Sequence, residues 1–281
     1  MIDEVPPGLD RRNKDADGER YDAVIRTDHH SLLLERVISA LRKQTSPPEK
    51  IILVDASREP SCRGKLLRLG DIVIQYPDTQ FNFAHALNLG IEAAVGREVL
   101  LISSHVVLND ITMIERGRLL GREHGAGVVY WKAADRGALR VQLNQAGSFN
   151  GHNGLSATCG LIPRRDAIER PFRTDVFSAE DQEWAGWYLH TRNGKTLQIE
   201  HPQFEYLNPN SNIQKTINEE IAIAYFANRK LLQPRYIAAR ILRAALAGLR
   251  HRPGRARLHW EVAKGLLLAN FRQPNRRSRY Y

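Results

Sequence analysis

The sequence has few cysteines and no long apolar run, and each shortage excludes a class of protein. Cys62 and Cys159 are the only cysteines in 281 residues. They stand far apart, so we expect neither a disulfide framework nor a cysteine-based zinc site. The longest apolar stretch, 99–108, is interrupted by two serines and a histidine, and it is far shorter than the roughly 20 residues of a membrane-spanning helix. The polar N-terminus lacks the apolar core of a signal peptide, and we therefore expect a cytoplasmic protein.

Acidic residues are scarce at one end of the chain only. Residues 220–281 contain 14 lysines and arginines against two acidic residues, while the whole chain has a net charge of +10. The first 219 residues are therefore close to neutral. This distribution favours a basic appendage that meets an anionic surface. Nucleic acid is an unlikely partner, because the sequence has no recognised binding module and no aromatic residues interleaved with the basic ones.

Short apolar segments alternate with helical patterns from about residue 21 onward. Strands are predicted at 23–25, 51–54, 72–74 and 99–102, with apolar positions of helical spacing between them. This alternation predicts an α/β fold with a mainly parallel sheet. Further along, 128–131 and 141–143 predict an antiparallel excursion, 180–190 a helix and 197–199 a strand. From residue 216 the pattern becomes helical and basic, with helices near 218–232, 235–249 and 257–271.

These patterns divide the chain into three parts. Residues 1–20 are expected to be a mobile lead-in, 21–215 the α/β domain, and 216–281 a basic amphipathic helical region. Polar residues follow three of the predicted strands of the domain. Because ligands of open parallel sheets bind outside the carboxyl ends of the strands, these residues indicate one crevice. They are Thr27 and Asp28, Asp55 and Ser57, and Ser103 and His105.

Several segments, in order, resemble the family 2 glycosyltransferases, which use nucleotide sugars and have a GT-A fold. The resemblance covers roughly residues 21–210. It implies a Rossmann-like, mixed and mainly parallel sheet flanked by helices, followed here by a basic helical C-terminal extension. The matching segments are VIRT (24–27), IILVDAS (51–57), FNFAHALNLGIEAAVGREVLLIS (81–103), CGLIPRR (159–165) and SAEDQEWAGWYL (178–189).

The resemblance implies a nucleotide-sugar site along the strand ends. Asp55 would contact the base or ribose, because a carboxylate accepts hydrogen bonds from base N–H groups and ribose hydroxyls. A turn or helix-cap aspartate is the alternative. His85 and Asn88 lie three residues apart on one helix, and Asn88 matches the family's asparagine, whereas His85 could equally be a solvated or core histidine. The remaining residues assigned to nucleotide-sugar binding are Thr27, Ser57, Ser103 and His105.

The resemblance also implies that Asp181 is the catalytic base, with Glu180 beside it. Glycosyl transfer with inversion needs a carboxylate to take the proton of the acceptor hydroxyl. Glu180 would position the acceptor or the base, or raise the pKa of the base by like-charge repulsion. The alternative is a carboxylate that only stabilises a helix N-terminus. Trp184 and Trp187 are expected to be packing residues, with an aromatic platform for a sugar as the alternative.

The sequence departs from the family after the strand at 99–102. Ser103-Ser104-His105 stands where the family usually has Asp-x-Asp, and serine is a poor ligand for a hard cation. His105 would either ligate a metal such as Mn²⁺ or contact the diphosphate directly when protonated. We therefore expect weak or absent dependence on Mg²⁺ or Mn²⁺.

The leading hypothesis is an inverting hexosyltransferase of bacterial polysaccharide or glycolipid assembly. It would use a nucleotide-diphosphate sugar, with a UDP-sugar favoured, and a saccharide or lipid-linked acceptor. The alternative is a non-catalytic nucleotide- or glycan-binding relative held at a membrane. In either case the basic tail would attach the protein to an anionic membrane surface, at the inner face of the plasma membrane. The competing interpretation is that the tail helices pack on the domain and that their arginines are merely solvated.

Overall fold

The computed structural model describes residues 20–57, 59–76, 81–134, 137–208 and 212–274. The expected mobile lead-in and the last three arginines of the tail (Arg276, Arg277 and Arg279) lie outside these residues, apart from Arg20. Over the described residues the chain alternates strands and helices, as the sequence predicts. The strands are β1 (Tyr21–Thr27), β2 (Ile51–Asp55), β3 (Ile72–Gln75), β4 (Glu98–Ser103), β5 (Val106–Leu108), β6 (Val128–Ala133), β7 (Arg140–Asn144), β8 (Cys159–Pro163), β9 (Thr196–His201) and β10 (Phe204–Tyr206).

The helices cover the two faces of the sheet and form the C-terminal region. α1 shows why they form where they do: Ser31 caps it by accepting a hydrogen bond from the Leu34 N–H, and four apolar residues at helical spacing are buried. The helices are α1 (Leu32–Arg42), α2 (Pro60–Leu66), α3 (Phe83–Ala93), α4 (Met113–Glu123), α5 (Arg164–Glu169), α6 (Glu180–His190), α7 (Ile213–Ala222), α8 (Pro234–Leu249) and α9 (Pro253–Ala269).

Eight strands form one mixed sheet in the order β3-β2-β1-β4-β8-β6-β9-β7. β1 to β4 are parallel to one another, β8 is antiparallel to both neighbours, and β6 and β9 run parallel to each other. Since β6 is reversed twice relative to β4, its carboxyl end lies at the same edge as those of β1, β2 and β4. The carboxyl ends of six strands (β1, β2, β3, β4, β6 and β9) therefore share one edge. β5 and β10 form a separate two-stranded ladder.

Three apolar clusters hold these layers together. The first packs α1 and α4 on one sheet face, and the second packs α3 and α6 on the other. Alternate residues of β1 divide between them, because Ile25 belongs to the first cluster and Val24 to the second. The third cluster joins the C-terminal helices to Phe177 and Ala179, just before α6.

Three expectations are corrected. Residues 128–131 and 141–143 are strands, but they form no separate excursion: β9 lies between β6 and β7 in the main sheet. The helix expected near 218–232 begins earlier, at Ile213, and its regular part ends at Ala222. A π-helical turn (Ile223–Ala227) and a 3₁₀ turn (Arg229–Leu232) follow. The helix expected near 257–271 also begins earlier, at Pro253, since proline is well tolerated in the first helical turn.

Candidate active site

The ends of β1 and β2 place Thr27 and Asp55 side by side. The two are register partners, and both are buried. The Asp55 carboxylate accepts a hydrogen bond from the Ser57 N–H at 2.8 Å, and the Thr27 hydroxyl donates one to the His29 carbonyl at 2.6 Å. Both side chains therefore hold the turns that follow their strands. Thr27, Asp55 and Ser57 therefore lie together at one edge of the sheet, as the sequence predicts.

His85 and Asn88 lie on α3 but differ in their surroundings. The Asn88 amide donates to the Phe172 carbonyl at 2.8 Å and accepts from the Phe172 N–H at 3.0 Å. It thus ties α3 to the segment that leads to α6. The exposed His85 ring lies edge-on to Tyr76, with centroids 5.2 Å apart. The roles of both residues in nucleotide binding stay predictions.

Asp181 lies next to the end of β4. Its carboxylate accepts hydrogen bonds from the N–H groups of Ala157 (2.9 Å) and Gln182 (2.8 Å). The next residue along, Thr158, accepts a hydrogen bond from the Ser103 N–H at 2.9 Å. Two consecutive backbone groups therefore connect Asp181 to Ser103. The predicted base and the position of the missing Asp-x-Asp motif lie close together.

The environment of Asp181 suits a proton acceptor. Burial, followed by the charge of Glu180, raises the pKa of Asp181 to about 7, although two N–H donors act in the opposite direction. Ala179, directly before α6, has a left-handed backbone with φ of 58°. A non-glycine residue in this conformation costs of the order of 1 kcal/mol, and such strain is concentrated at functional sites.

Arg26 also lies at this edge, although no role was predicted for it from the sequence. It lies on β1 as the register partner of Ser103. Its guanidinium is 3.4 Å from the Glu180 carboxylate and 4.7 Å from the centre of the Phe83 ring. The ion pair fixes Glu180 beside Asp181 and keeps one positive charge at the centre of the edge. The sequence does contain an indication of such a role, because an arginine is unusual within an otherwise apolar strand.

Lys132 and Glu219 were also missed. Lys132 lies near the carboxyl end of β6, and burial lowers its pKa while the charges of Asp181, Glu200 and Glu219 act to raise it. Burial raises the pKa of Glu219, on α7. Each of these residues interacts electrostatically with residues beside the strand ends. The polar end of β6 was a readable signal, whereas α7 reaches the edge only through tertiary packing.

His105 lies in the turn between β4 and β5. Its Nδ1 atom is buried and has no hydrogen-bond partner. Burial lowers the pKa of His105, so that the neutral imidazole predominates at pH 7, and the charges of His29 and Lys215 act in the same direction. The roles considered for His105, in metal or diphosphate binding, stay predictions.

The residues at this turn do not fit a divalent cation. Mg²⁺ and Mn²⁺ favour carboxylate oxygens, whereas the turn offers two serines and one imidazole. Nowhere in the described ranges do three or more His, Cys, Asp or Glu side chains form a group that could hold a metal.

Two further features lie outside this site. Trp184 is fully buried and stacks on Tyr188, with centroids 5.3 Å apart, which confirms its packing role. The half-buried Trp187 lies under the guanidinium groups of Arg170 and Arg192. A cavity of about 390 Å³ lies between α7 and α9, and none of the predicted site residues lines it.

Comparisons with known proteins support the fold. No family model matches the sequence, and no curated protein matches it. Among solved structures, the mannosyltransferase PcManGT from Pyrobaculum calidifontis, in complex with GDP-Man and Mn²⁺, is 12% identical with a TM-score of 0.59, over 90% of this chain and 87% of that one. TarS 1–349 from S. aureus in complex with UDP-GlcNAc is 13% identical with a TM-score of 0.53, over 88% and 92%. The predicted GT-A fold is thereby confirmed.

Proposed function

We propose that the protein is an inverting glycosyltransferase that moves a sugar from a nucleotide diphosphate to an acceptor hydroxyl. The position of Asp181 is the observation that carries the proposal. Its carboxylate has a pKa of about 7 and lies two backbone hydrogen bonds from the end of β4. A base with a pKa near the working pH is the most effective one. The Thr27–Asp55 side of the same edge would bind the nucleoside.

The reaction needs one proton acceptor and one leaving group. The acceptor oxygen attacks the anomeric carbon and transfers its proton to Asp181 as the new C–O bond forms. The bond between the anomeric carbon and the diphosphate oxygen breaks on the opposite face, and the nucleoside diphosphate leaves with the electron pair. Glu180, held by Arg26, keeps the pKa of the base high through its charge.

A donor screen tests the proposal. The full chain is incubated with a panel of UDP-, GDP- and dTDP-sugars and candidate saccharide or lipid-linked acceptors, and products are identified by mass spectrometry. A glycosylated product or donor hydrolysis that disappears in Asp181→Asn supports it. Nucleotide binding without turnover by the wild-type protein would instead indicate a non-catalytic binding protein.

We also propose that α8 and α9 attach the enzyme to an anionic membrane surface. Within the described part of the chain no helix is long and apolar enough to span a bilayer. The apolar face expected from the sequence is divided: Ile237 and Ala244 are buried, whereas Ile241 and Leu249 are exposed. Exposed leucines form a stripe along α8, and α9 exposes a second apolar group. These residues are Leu242, Leu246 and Leu249 on α8, and Trp260, Leu267, Leu268 and Phe271 in and after α9.

Arginines border the α8 stripe. Arg243 and Arg250 are exposed beside it, while Arg240 turns inward to pair with Glu220. A helix with exposed leucines and flanking arginines suits the plane of an anionic lipid interface. This arrangement would bring the crevice to a lipid-linked acceptor of polysaccharide or glycolipid assembly, at the inner face of the plasma membrane.

Liposome flotation tests the attachment. The wild-type protein should float with vesicles that contain anionic lipid and not with neutral ones. Leu242→Gln/Leu246→Gln should lower the bound fraction, whereas the exposed Leu119→Gln on α4 serves as the control. Equal binding to both vesicle types, or to neither, would contradict the electrostatic attachment.

A further inference from the structure

We propose that Lys215 of α7 binds the diphosphate of the donor in place of a divalent cation. The inference rests on the proposed function, and it assigns a binding role to a residue of the C-terminal region. It answers a chemical question that the site raises. A nucleoside diphosphate brings negative charge to an edge that already holds Glu180 and Asp181, and no built metal centre is found among the described residues to offset that charge.

α7 runs from the His105 turn toward the segment before Glu180. The Leu207 N–H donates a hydrogen bond to the His105 carbonyl at 2.8 Å, and β10 pairs with β5 directly after His105. The chain that enters α7 is therefore attached to the His105 turn. Further along the helix, Ile217 and Ile221 pack in one cluster with Phe177 and Ala179, next to Glu180.

The side chains of α7 point in three directions. Lys215 and Glu219 are four residues apart and lie on one face. The apolar residues Ile217 and Ile221 lie on a different face and are buried in the third cluster. Glu220 points in a third direction, where its carboxylate pairs with Arg240 (2.5 Å) and lies 3.8 Å from the His152 ring. The Lys215–Glu219 face is therefore not the one buried in the third cluster, and the half-buried Lys215 lies on it.

The electrostatics agree with this orientation. The charge of Lys215 lowers the pKa of His105 and also that of Glu219, while Glu180 raises the pKa of Glu219. Such effects require the groups to be near one another. The Lys215 ammonium therefore lies within electrostatic range of both the turn after β4 and the acidic side of the site.

The chemistry of the residue suits the task. A lysine ammonium is a compact point charge with three N–H donors, and lysine is an established phosphate ligand. Ser103 and Ser104 supply hydroxyl groups but no charge, and His105 is mainly neutral at pH 7. Arg26 pairs with Glu180, and Lys132 lies on the acidic side of the site with Asp181, Glu200 and Glu219. Lys215 is the lysine whose charge acts on His105, at the turn after β4 where the family's Asp-x-Asp motif would stand.

Calorimetry with and without the diphosphate tests the inference. UDP and GDP, and the matching nucleosides uridine and guanosine, are titrated into the full chain in EDTA. Lys215→Ala should weaken binding of the preferred diphosphate by about 10- to 100-fold, the usual range for a lost charge-assisted hydrogen bond. Nucleoside binding should change by less than about 2-fold. Lys215→Arg should retain most of the affinity, and Lys230→Ala, an exposed lysine of the same region, should behave as wild type.

Three outcomes would overturn the inference. The first is an unchanged diphosphate affinity in Lys215→Ala, and the second is an equal loss for diphosphate and nucleoside, which would indicate a general packing defect. The third is a wild-type affinity that appears only when Mn²⁺ or Mg²⁺ is added. Lys215→Gln replaces the alanine variant if circular dichroism shows that the latter is unfolded. A wild-type protein that binds no nucleotide at all would overturn the proposed function together with this inference.

Discussion

The two sides of the crevice satisfy their polar groups in different ways. At the ends of β1 and β2, Thr27 and Asp55 make short local hydrogen bonds that hold the following turns. At the start of α6 and in the last turn of α7, carboxyl groups are crowded together, and the pKa values of Asp181 and Glu219 are raised by burial. The first side is a preformed binding surface. On the second side, burial and neighbouring negative charges destabilise the ionised carboxylates. The raised pKa values that result are typical of groups that accept a proton in catalysis.

The raised pKa of Asp181 also makes the stability of the folded state depend on pH. Folded Asp181 holds its proton up to a pKa of about 7, whereas its ordinary value is 3.8. Between these values the folded state binds more protons than the unfolded state, so the contribution of Asp181 to stability falls as pH rises from about 4 to 7. An asparagine at this position avoids that cost. Activity and stability thus have opposite requirements at the start of α6.

The largest expected effect comes from removing the base. Asp181→Asn keeps an acceptor for the Ala157 N–H but cannot take a proton, so turnover should fall by about 100-fold or more. Nucleotide affinity should be retained. Asp175→Asn, at a surface ion pair with Arg173, is the matched control. Near-normal turnover would assign the chemistry to another group.

Breaking the binding side should affect affinity instead. Asp55→Ala should weaken binding of the nucleotide by about 10-fold, the scale of one hydrogen bond to a charged group, with turnover at saturating donor little changed. Asp55→Asn keeps the acceptor for the Ser57 N–H and separates the nucleotide contact from the turn. An unchanged affinity in both variants, measured by calorimetry, would remove Asp55 from the site.

Asn88 sharpens the comparison, because it connects the two sides through Phe172. Asn88→Ala leaves one backbone N–H and one carbonyl unpaired and should lower the free energy of unfolding by about 2 kcal/mol, as measured by urea denaturation. A variant with unchanged stability and lost nucleotide affinity would place the amide at the donor instead, as the family resemblance implies.

The smallest expected effect is that of metal removal. Because two serines and a neutral imidazole stand where carboxylates would hold a cation, EDTA should change turnover by less than about 2-fold. Buffer without EDTA, supplemented in parallel with Mg²⁺ and with Mn²⁺, is the comparison. Activity lost in EDTA and restored by Mg²⁺ alone would show that the diphosphate is bound through a metal.

The sequence predicted the parts of the site that depend on local order. Apolar runs that end in Thr27, Asp55 and Ser103 mark strand ends, and parallel strands bring such ends to one edge without further information. The sheet beyond β4 was predicted less well, because β9 enters between β6 and β7 from about 60 residues away. The pairing of strands so far apart in the sequence cannot be recognised from the hydrophobic pattern of either strand.

Residues of α7 escaped prediction for a related reason. A lysine and a glutamate one helical turn apart are typical of a solvated helix face, and the sequence places them at the start of a basic tail. Only the packing of Ile217 and Ile221 against the segment before α6 brings α7 next to the site. The boundary expected at 215–216 passes through this helix, which begins at Ile213.

The pH dependence of turnover tests the central claim, that Asp181 is a base with a raised pKa, most directly. Since the deprotonated carboxylate is the active form, kcat/KM of the wild-type enzyme should rise with pH and level off above a midpoint near 7. Glu180→Gln removes the neighbouring charge, so the midpoint should move to lower pH while Glu205→Gln, an exposed control, leaves it in place. A midpoint that is the same in Glu180→Gln and wild type, or a profile that survives in Asp181→Asn, would contradict the account.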